Sequence, residues 1–301
     1  MKAVVLKAYG DADNLVVTEM PEPKVGPGDV KVRVIAASIN PVDWKIRRGD
    51  MKEVMPVTFP AILGRDVSGE VVEVGQGVKG FKKGDRVMGV VSSGYAETVV
   101  APEEVWARVP DSLELKDAAA LPLVTLTGVQ LIEEQMKPAQ GDTVLVTGAV
   151  GAVGRAALFA AKARGAKVWA GVRATQVEEA RKLGVDGVVA LEDASDIAKL
   201  PTLDAVADTV GGKAVAAVLD KVKRGGRVCS VVGEPKGAKE KGLQVSSFFS
   251  HPDGRRLAQL GESVAKGELT IPIGKTFKLD EAKDAQQHAE KGGTGKVLLV
   301  N

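Results

Sequence analysis

Apolar and polar residues alternate through Val30-Lys-Val-Arg-Val-Ile35, with the period of two that a strand with one buried face requires. Pro27-Gly28-Asp29 ahead of it is a turn signal. Shorter runs of the same kind recur at Val67–Val74 and Arg86–Val91, set apart by Gly75, Gly77, Gly80 and Gly84. Many short strands divided by glycine turns predict a partly closed antiparallel barrel up to about residue 110.

The pattern changes near Asp117. Asp117–Leu123 and Gly128–Lys137 read as helices, and from Thr143 onward strands and helices alternate. Strands are expected at Thr143–Thr147, Lys167–Val172, Gly187–Ala190, Asp204–Asp208 and Gly226–Val232. Helices are expected at Gly151–Arg164, Thr175–Leu183 and Lys213–Val222. Successive βαβ units imply a parallel sheet covered by helices on both faces. Short strands return at Thr276–Leu279 and Lys296–Val300. The fold class is therefore α/β. A barrel domain is expected over residues 1–116, completed by 268–301, with a doubly wound parallel-sheet domain over 117–267.

Composition narrows the partners. Of 301 residues, 45% are hydrophobic and 27% charged, which suits a globular protein with sizeable cores. With 41 basic against 39 acidic residues the net charge is +2, so nothing electrostatic favours nucleic acid or an acidic membrane surface. The single cysteine, Cys229, rules out an intrachain disulfide framework and any multi-cysteine zinc site. It lies among valines and reads as a buried core thiol. The apolar run Ala3–Leu6 is too short for a signal peptide, and no unbroken stretch approaches the ~18 apolar residues of a membrane span. A soluble, cytoplasmic protein without membrane insertion is expected.

The strongest chemical signal runs from Gly141 to Gly154, where a strand enters a loop marked by Gly148, Gly151 and Gly154 and a helix follows. Glycines let the backbone amides of Val150, Ala152 and Val153 approach a pyrophosphate, and the helix N-terminus adds partial positive charge. The spacing is G-x-x-G-x-x-G, and a glycine-rich turn without a ligand has the same look. The strand before it, the helix after it and the next strand fall where a dinucleotide fingerprint needs them. NAD sites carry an acid about 20 residues on, for the ribose 2′-hydroxyl. Here the next strand ends Gly171-Val-Arg173. Arginine suits a 2′-phosphate, which a guanidinium holds through charge-assisted bonds, so NADPH is expected; a surface arginine is the plainer alternative.

Taken in order, the blocks of this chain resemble the medium-chain dehydrogenase/reductase superfamily, in its zinc-free quinone oxidoreductase branch. They are Asn40-Pro-Val-Asp43, Leu63-Gly-Arg-Asp-Val-Ser-Gly69, Gly84-Asp-Arg-Val87, Gly94-Tyr-Ala-Glu97, Ala119-Ala-Leu-Pro122, Leu126-Thr127, Asp208-Thr-Val-Gly-Gly212, Gly225-Gly-Arg-Val228 and Thr294-Gly-Lys-Val297. The likeness covers essentially the whole chain. It implies a GroES-like barrel, a Rossmann cofactor domain and a homodimer joined at sheet edges. Zinc alcohol dehydrogenases of the superfamily bind metal near these blocks through a cysteine and a histidine or aspartate. Here Asn40, Lys45 and Arg65 stand at those places, and none of the three replaces thiolate or neutral imidazole. No metal is expected.

The resemblance also proposes roles, each beside a plainer reading. Asn40 would donate to the substrate carbonyl, or serve as a turn residue before Pro41. Asp43 would position the nicotinamide ribose or a proton-bearing water, or cap a helix. Lys45 would hold the substrate oxygen or be solvated. Tyr95 would supply a proton or a hydrogen bond, or pack in the core. Thr127 would lie near the nicotinamide, or bond backbone within its helix. Phe248 and Phe249 fall where relatives close over the nicotinamide carboxamide, or are apolar filler, and Val232 and Gly233 are counted with the cofactor-binding residues. Lys296 would approach the cofactor phosphates or lie on the surface. Asp66 and Glu70 read as the charged members of a turn and a strand, and His288 as part of an exposed helix. The implied activity is zinc-independent, NADPH-dependent hydride transfer to a quinone or an α,β-unsaturated carbonyl. The alternative is a protein that holds NADPH and serves as a weakly catalytic partner-binding or structural module.

Overall fold

The computed structural model describes residues 1–293 and 295–301. Thr294, which opens the last block of the family resemblance, lies outside the described residues. The chain forms two units, Met1–Leu123 together with Pro252–Asn301, and Val124–His251. In chain order the first elements are β1 (Lys2–Leu6), β2 (Leu15–Glu19), β3 (Asp29–Ile39), α1 (Pro41–Arg48), β4 (Ala61–Ile62), β5 (Asp66–Val74), β6 (Arg86–Val90), β7 (Thr98–Pro102) and β8 (Trp106–Arg108). Then come α2 (Leu115–Ala118), α3 (Pro122–Gln130), β9 (Thr143–Thr147), α4 (Ala152–Ala163), β10 (Lys167–Val172), α5 (Val177–Arg181), β11 (Gly187–Ala190), α6 (Ala194–Ala198) and β12 (Leu203–Asp208). The series closes with α7 (Gly212–Ala216), β13 (Val222–Ser230), β14 (Gln244–Ser247), α8 (Gly254–Ala265), β15 (Ile273–Lys278), α9 (Ala282–Glu290) and β16 (Lys296–Val300).

In the first unit β3 organises the barrel. Its alternation places Val30, Val32 and Val34 in the core and leaves Arg33 in solvent. The strand pairs β5 along most of its length, β7 over its first half and β16 over its second. Register shifts after Lys31 and Val34 bend it, which lets one strand serve successive neighbours. The segment that follows turns into α1 because Pro41 occupies the first helical position and Asn40, in extended backbone, closes a capping box with Asp43. Gly49, at φ +86°, ends the helix in the left-handed region. At the far end of the unit, α8 packs on β8; no element was expected over its residues. Its signal was present in the Asp253 cap, whose carboxylate accepts the Arg256 N–H, and in the spacing of Leu257, Leu260 and Val264.

The second unit carries a six-stranded sheet, all parallel, in the order β11-β10-β9-β12-β13-β14. Val144, Leu145 and Val146 are fully buried, as a strand covered on both faces requires. The expected helix at Gly128–Lys137 is instead the end of α3 followed by a π-helix, Leu131–Met136, which stops at Lys137 in left-handed backbone. The expected helix at Lys213–Val222 is cut to α7 and a 3-10 turn, because Val222 pairs with Leu203 and is already in the sheet. The strand expected at Gly226–Val232 accordingly starts at Val222 and ends at Ser230. Cys229 is buried within it. Leu115–Met136 is long and apolar enough to cross a membrane by length and composition, but 72% of its most apolar window is buried within the protein.

Candidate active site

Three neighbouring strands bring together residues that are far apart in the chain. Ser38 of β3 stands opposite Asp66, the first residue of β5, and Ile39 stands opposite Val297 of β16. Asn40, Asp66 and Lys296 therefore meet at one end of the sheet. The Asn40 amide donates to Asp66 Oδ2 at 2.7 Å, and Lys296 Nζ donates to Asn40 Oδ1 at 2.7 Å and to the Ile39 carbonyl at 3.1 Å. Lys296 and Asp66 are 3.5 Å apart. Asp66 further accepts from Ser38 Oγ and from the Leu123 N–H, each at 2.7 Å. Asp43 joins through the capping box. Its Oδ2 accepts the Asn40 N–H at 2.8 Å and the Tyr95 hydroxyl at 2.9 Å. Tyr95 is held by a glycine: Gly64, at φ +96°, lies so close that a Cβ there would sit 2.4 Å from the Tyr95 ring.

All five side chains are buried, with Asn40 and Asp43 each 1% exposed and Tyr95 and Asp66 fully covered. Burial dominates the electrostatics of Asp43, Tyr95 and Lys296. It pushes Asp43 up to about 6, against the pull of the Asn40 N–H, the Tyr95 hydroxyl and the Lys296 charge, with Asp66 adding to the rise. It pushes Tyr95 well above the ordinary phenol range, helped by the Asp43 charge, so the phenol keeps its proton. It lowers Lys296, while Asp66 and Asp43 oppose the fall. Among the described residues, three buried side-chain atoms have no hydrogen-bond partner: Asp43 Oδ1, Arg65 Nε and Gln286 Nε2.

Several expectations change here. Asp66, read simply as a charged member of a turn or strand, does open β5 but is also the acceptor at the centre of the cluster, whereas Glu70 pairs across the sheet with Arg33. Lys296, expected at the cofactor phosphates or on the surface, has its ammonium inside this cluster. The Asn40 amide, expected to donate to a substrate carbonyl, donates to Asp66, a carboxylate being a stronger acceptor than a carbonyl. Asp43 is the third residue of α1, and Asn40 is the cap. Lys45 is half-buried, and its side chain makes no hydrogen bond or ion pair among the described residues. His288 is half-buried, its ring centre 5.7 Å from that of Phe277. Asp66, and the place of Lys296 beside Asn40, could be found only by knowing the register of β3 with β5 and β16.

In the second unit the glycine loop has the expected form. Gly148 takes φ +65°, Gly151 caps α4, and a Cβ on Gly154 would lie 2.2 Å from the Gly148 carbonyl oxygen. The first N–H groups of α4, on Ala152, Val153 and Gly154, have no acceptor within the helix. Val150 is buried, its carbonyl accepting from Arg155 Nε at 2.9 Å. Sequence reading missed Asp208, which accepts from Thr147 Oγ1 at 2.8 Å and from Ser230 Oγ at 2.9 Å and so ties the ends of β9, β12 and β13. Arg173 follows β10, exposed, with no side-chain partner among the described residues. Val232 is exposed and Gly233 takes φ +107°. The Phe248 N–H reaches the Ser230 carbonyl at 3.3 Å, and Phe249 is 68% exposed, which excludes it as core filler. Thr127 Oγ1 lies 2.7 Å from Ser250 Oγ, a side-chain partner rather than the backbone one considered.

Comparison with known proteins bears on the family and the fold. Residues 26–111 match the alcohol dehydrogenase GroES-like domain family, and residues 183–299 match the zinc-binding dehydrogenase family. The chain is 32% identical to the chloroplast envelope quinone oxidoreductase homolog of Arabidopsis thaliana, over 99% of this chain and 98% of that protein. The quinone oxidoreductase structure from Coxiella burnetii superposes with a TM-score of 0.88 at 30% identity, covering 100% of this chain and 99% of that one. A structure described as an NAD-dependent alcohol dehydrogenase gives 0.89 at 29% identity, with 100% of both chains covered.

Proposed function

The chain belongs to the medium-chain dehydrogenase/reductase superfamily, in its quinone oxidoreductase branch, and from that premise we propose that it reduces a quinone or an α,β-unsaturated carbonyl with NADPH and without zinc. The observation that carries the zinc-free reading is the ammonium of Lys296 on Asn40 Oδ1, at 2.7 Å. A dication at Asn40 would face that like charge, and the neighbouring Arg65 is no ligand. Among the described residues, no group of three or more His, Cys, Asp or Glu side chains is placed to hold a metal. The donor set does not fit zinc.

The glycine loop fits a dinucleotide. Gly148 and Gly154 leave room where a Cβ would collide, and the free amides of α4 suit a pyrophosphate. Arg173, where an acid would receive a 2′-hydroxyl, suits the 2′-phosphate of NADPH. Thr127, Val232, Gly233, Phe248 and Phe249 are assigned to the nicotinamide end by family likeness. Bound there, the nicotinamide supplies hydride to the acceptor. Asp43 keeps a proton up to about pH 6 with the Tyr95 phenol bonded to it, and this pair is the proton store of the site. Asn40 positions Asp43 through its N–H. Lys45 is the α1 cation left to meet charge on the acceptor oxygen. One observation favours a second reading, a protein that binds NADPH without turnover: Asn40, Asp43 and Tyr95 are at most 1% exposed.

The test follows reduced-nicotinamide absorbance with NADPH and with NADH, against quinone and enone panels, with chelator present. Acceptor-dependent oxidation favouring NADPH is expected, and the better panel names the acceptor class. Arg173→Ala is expected to raise the KM for NADPH at least about tenfold and to spare NADH, the worth of one or two charge-assisted bonds. Tight NADPH binding without turnover would leave the second reading.

A further inference from the structure

The Lys296–Asp66 pair is a pair of opposite charges buried in the protein, and its partners account for nearly every polar atom it has. Lys296 is 6% exposed and Asp66 is fully covered. Asn40 is wedged between them, receiving the ammonium on its oxygen and giving its nitrogen to the carboxylate. An amide has one acceptor end and one donor end, so this arrangement admits one orientation. A flipped amide would turn its N–H₂ towards the ammonium and its oxygen towards the carboxylate. Asn40 in turn gives its backbone N–H to Asp43. Replacing a buried ion pair with apolar residues is often neutral for stability, so stability alone is a weak account of this one.

We propose that Lys296 and Asp66 are positioning residues for Asp43: the pair fixes Asn40 in one orientation and governs the charge that Asp43 carries. The catalytic consequence rests on the reading of Asp43 as part of the proton store; the effect on Asp43 itself does not. Besides the Asn40 N–H, Asp43 is faced by the Tyr95 phenol from the β6–β7 connection, by Asp66 from β5 and by Lys296 from β16. The two charges of the pair act on it in opposite senses. The ammonium favours ionised Asp43, and the Asp66 carboxylate opposes it.

That opposition gives the test. In the full-length protein with isotope-labelled aspartate carboxyls, the titration of Asp43 is followed by NMR, its resonance assigned as the one lost in Asp43→Asn. Lys296→Met is expected to move the midpoint up, and Asp66→Asn to move it down, each on the order of one pH unit. The double variant, which carries neither charge, is expected to return towards the native midpoint. A packing role alone would not send the two single variants in opposite directions. If both shift the same way, or both fold and neither shifts, the proposal is overturned. Should Lys296→Met fail to fold, Asp66→Asn against the double variant still reads the effect of the ammonium. In turnover, activity that needs protonated Asp43 should extend to higher pH in Lys296→Met and contract in Asp66→Asn. A titration that shifts as expected in a protein without turnover would uphold the pair's effect on Asp43 and sink only the reductase reading.

Discussion

Burial lifts Asp43 to about 6 from an ordinary value of 3.8, although two donors point at it. The unfolded chain therefore releases this proton near pH 4 and the folded chain only near 6. Between those values the native state binds more protons, so stability falls as pH rises, and the loss is complete above the folded value. A difference of this size corresponds to about 3 kcal/mol. Asp43→Asn keeps the shape without the charge. It is expected to be the more stable chain at neutral pH, and to lack this fall between pH 4 and 6, as measured by urea unfolding across that range. A fall of equal size in both chains would show that Asp43 ionises normally. Asn40, Asp43 and Tyr95 could be singled out in the sequence because each sits in a compact block that carries the family resemblance. The role of Asp66 and the partnership of Lys296 could not, because their partner Asn40 is 26 and 256 residues away and only strand register brings them together.

Among the elements, the turn from β9 into α4 depends on individual glycines to unequal degrees. A Cβ on Gly154 would meet the Gly148 carbonyl oxygen at 2.2 Å and Ala149 Cα at 2.8 Å, and both are backbone. A Cβ on Gly151 would meet that same carbonyl oxygen at 3.2 Å, at an ordinary φ of −72°. Gly154→Ala is therefore expected to lower Tm and weaken binding of the nicotinamide cofactor at least about tenfold, while Gly151→Ala does neither to a comparable extent. Calorimetry of both variants checks the contrast, and equal losses would mean that spacing in this loop is not limiting. Strands such as β9 and β10 were legible because burial on both faces writes a continuous apolar run. The π-helix Leu131–Met136 and the shortened α7 were not legible. Local periodicity there still reads as helix, and long-range pairing such as Leu203 with Val222 decides the outcome.

At the scale of the molecule, β14 is the last strand of the parallel sheet and, among the described residues, pairs only with β13. An edge of this kind invites a second copy, and a two-fold axis beside it would continue the sheet into the partner. Light scattering is expected to give twice the 31.4 kDa of one chain, and a single-chain mass at working concentration would overturn the homodimer that the family resemblance implies. The first unit, drawn from both ends of the chain, has a further consequence that lies in time. Residues Val124–His251 are contiguous and can fold once made, but Asn40 waits for a lysine 256 residues later. At a synthesis rate of ~5–20 residues per second, the wait is roughly ten to fifty seconds. Through that interval Asp66 is without its counter-charge and the second half of β3 is without β16. A ribosome can thus carry a finished cofactor unit while the chemistry it serves does not yet exist.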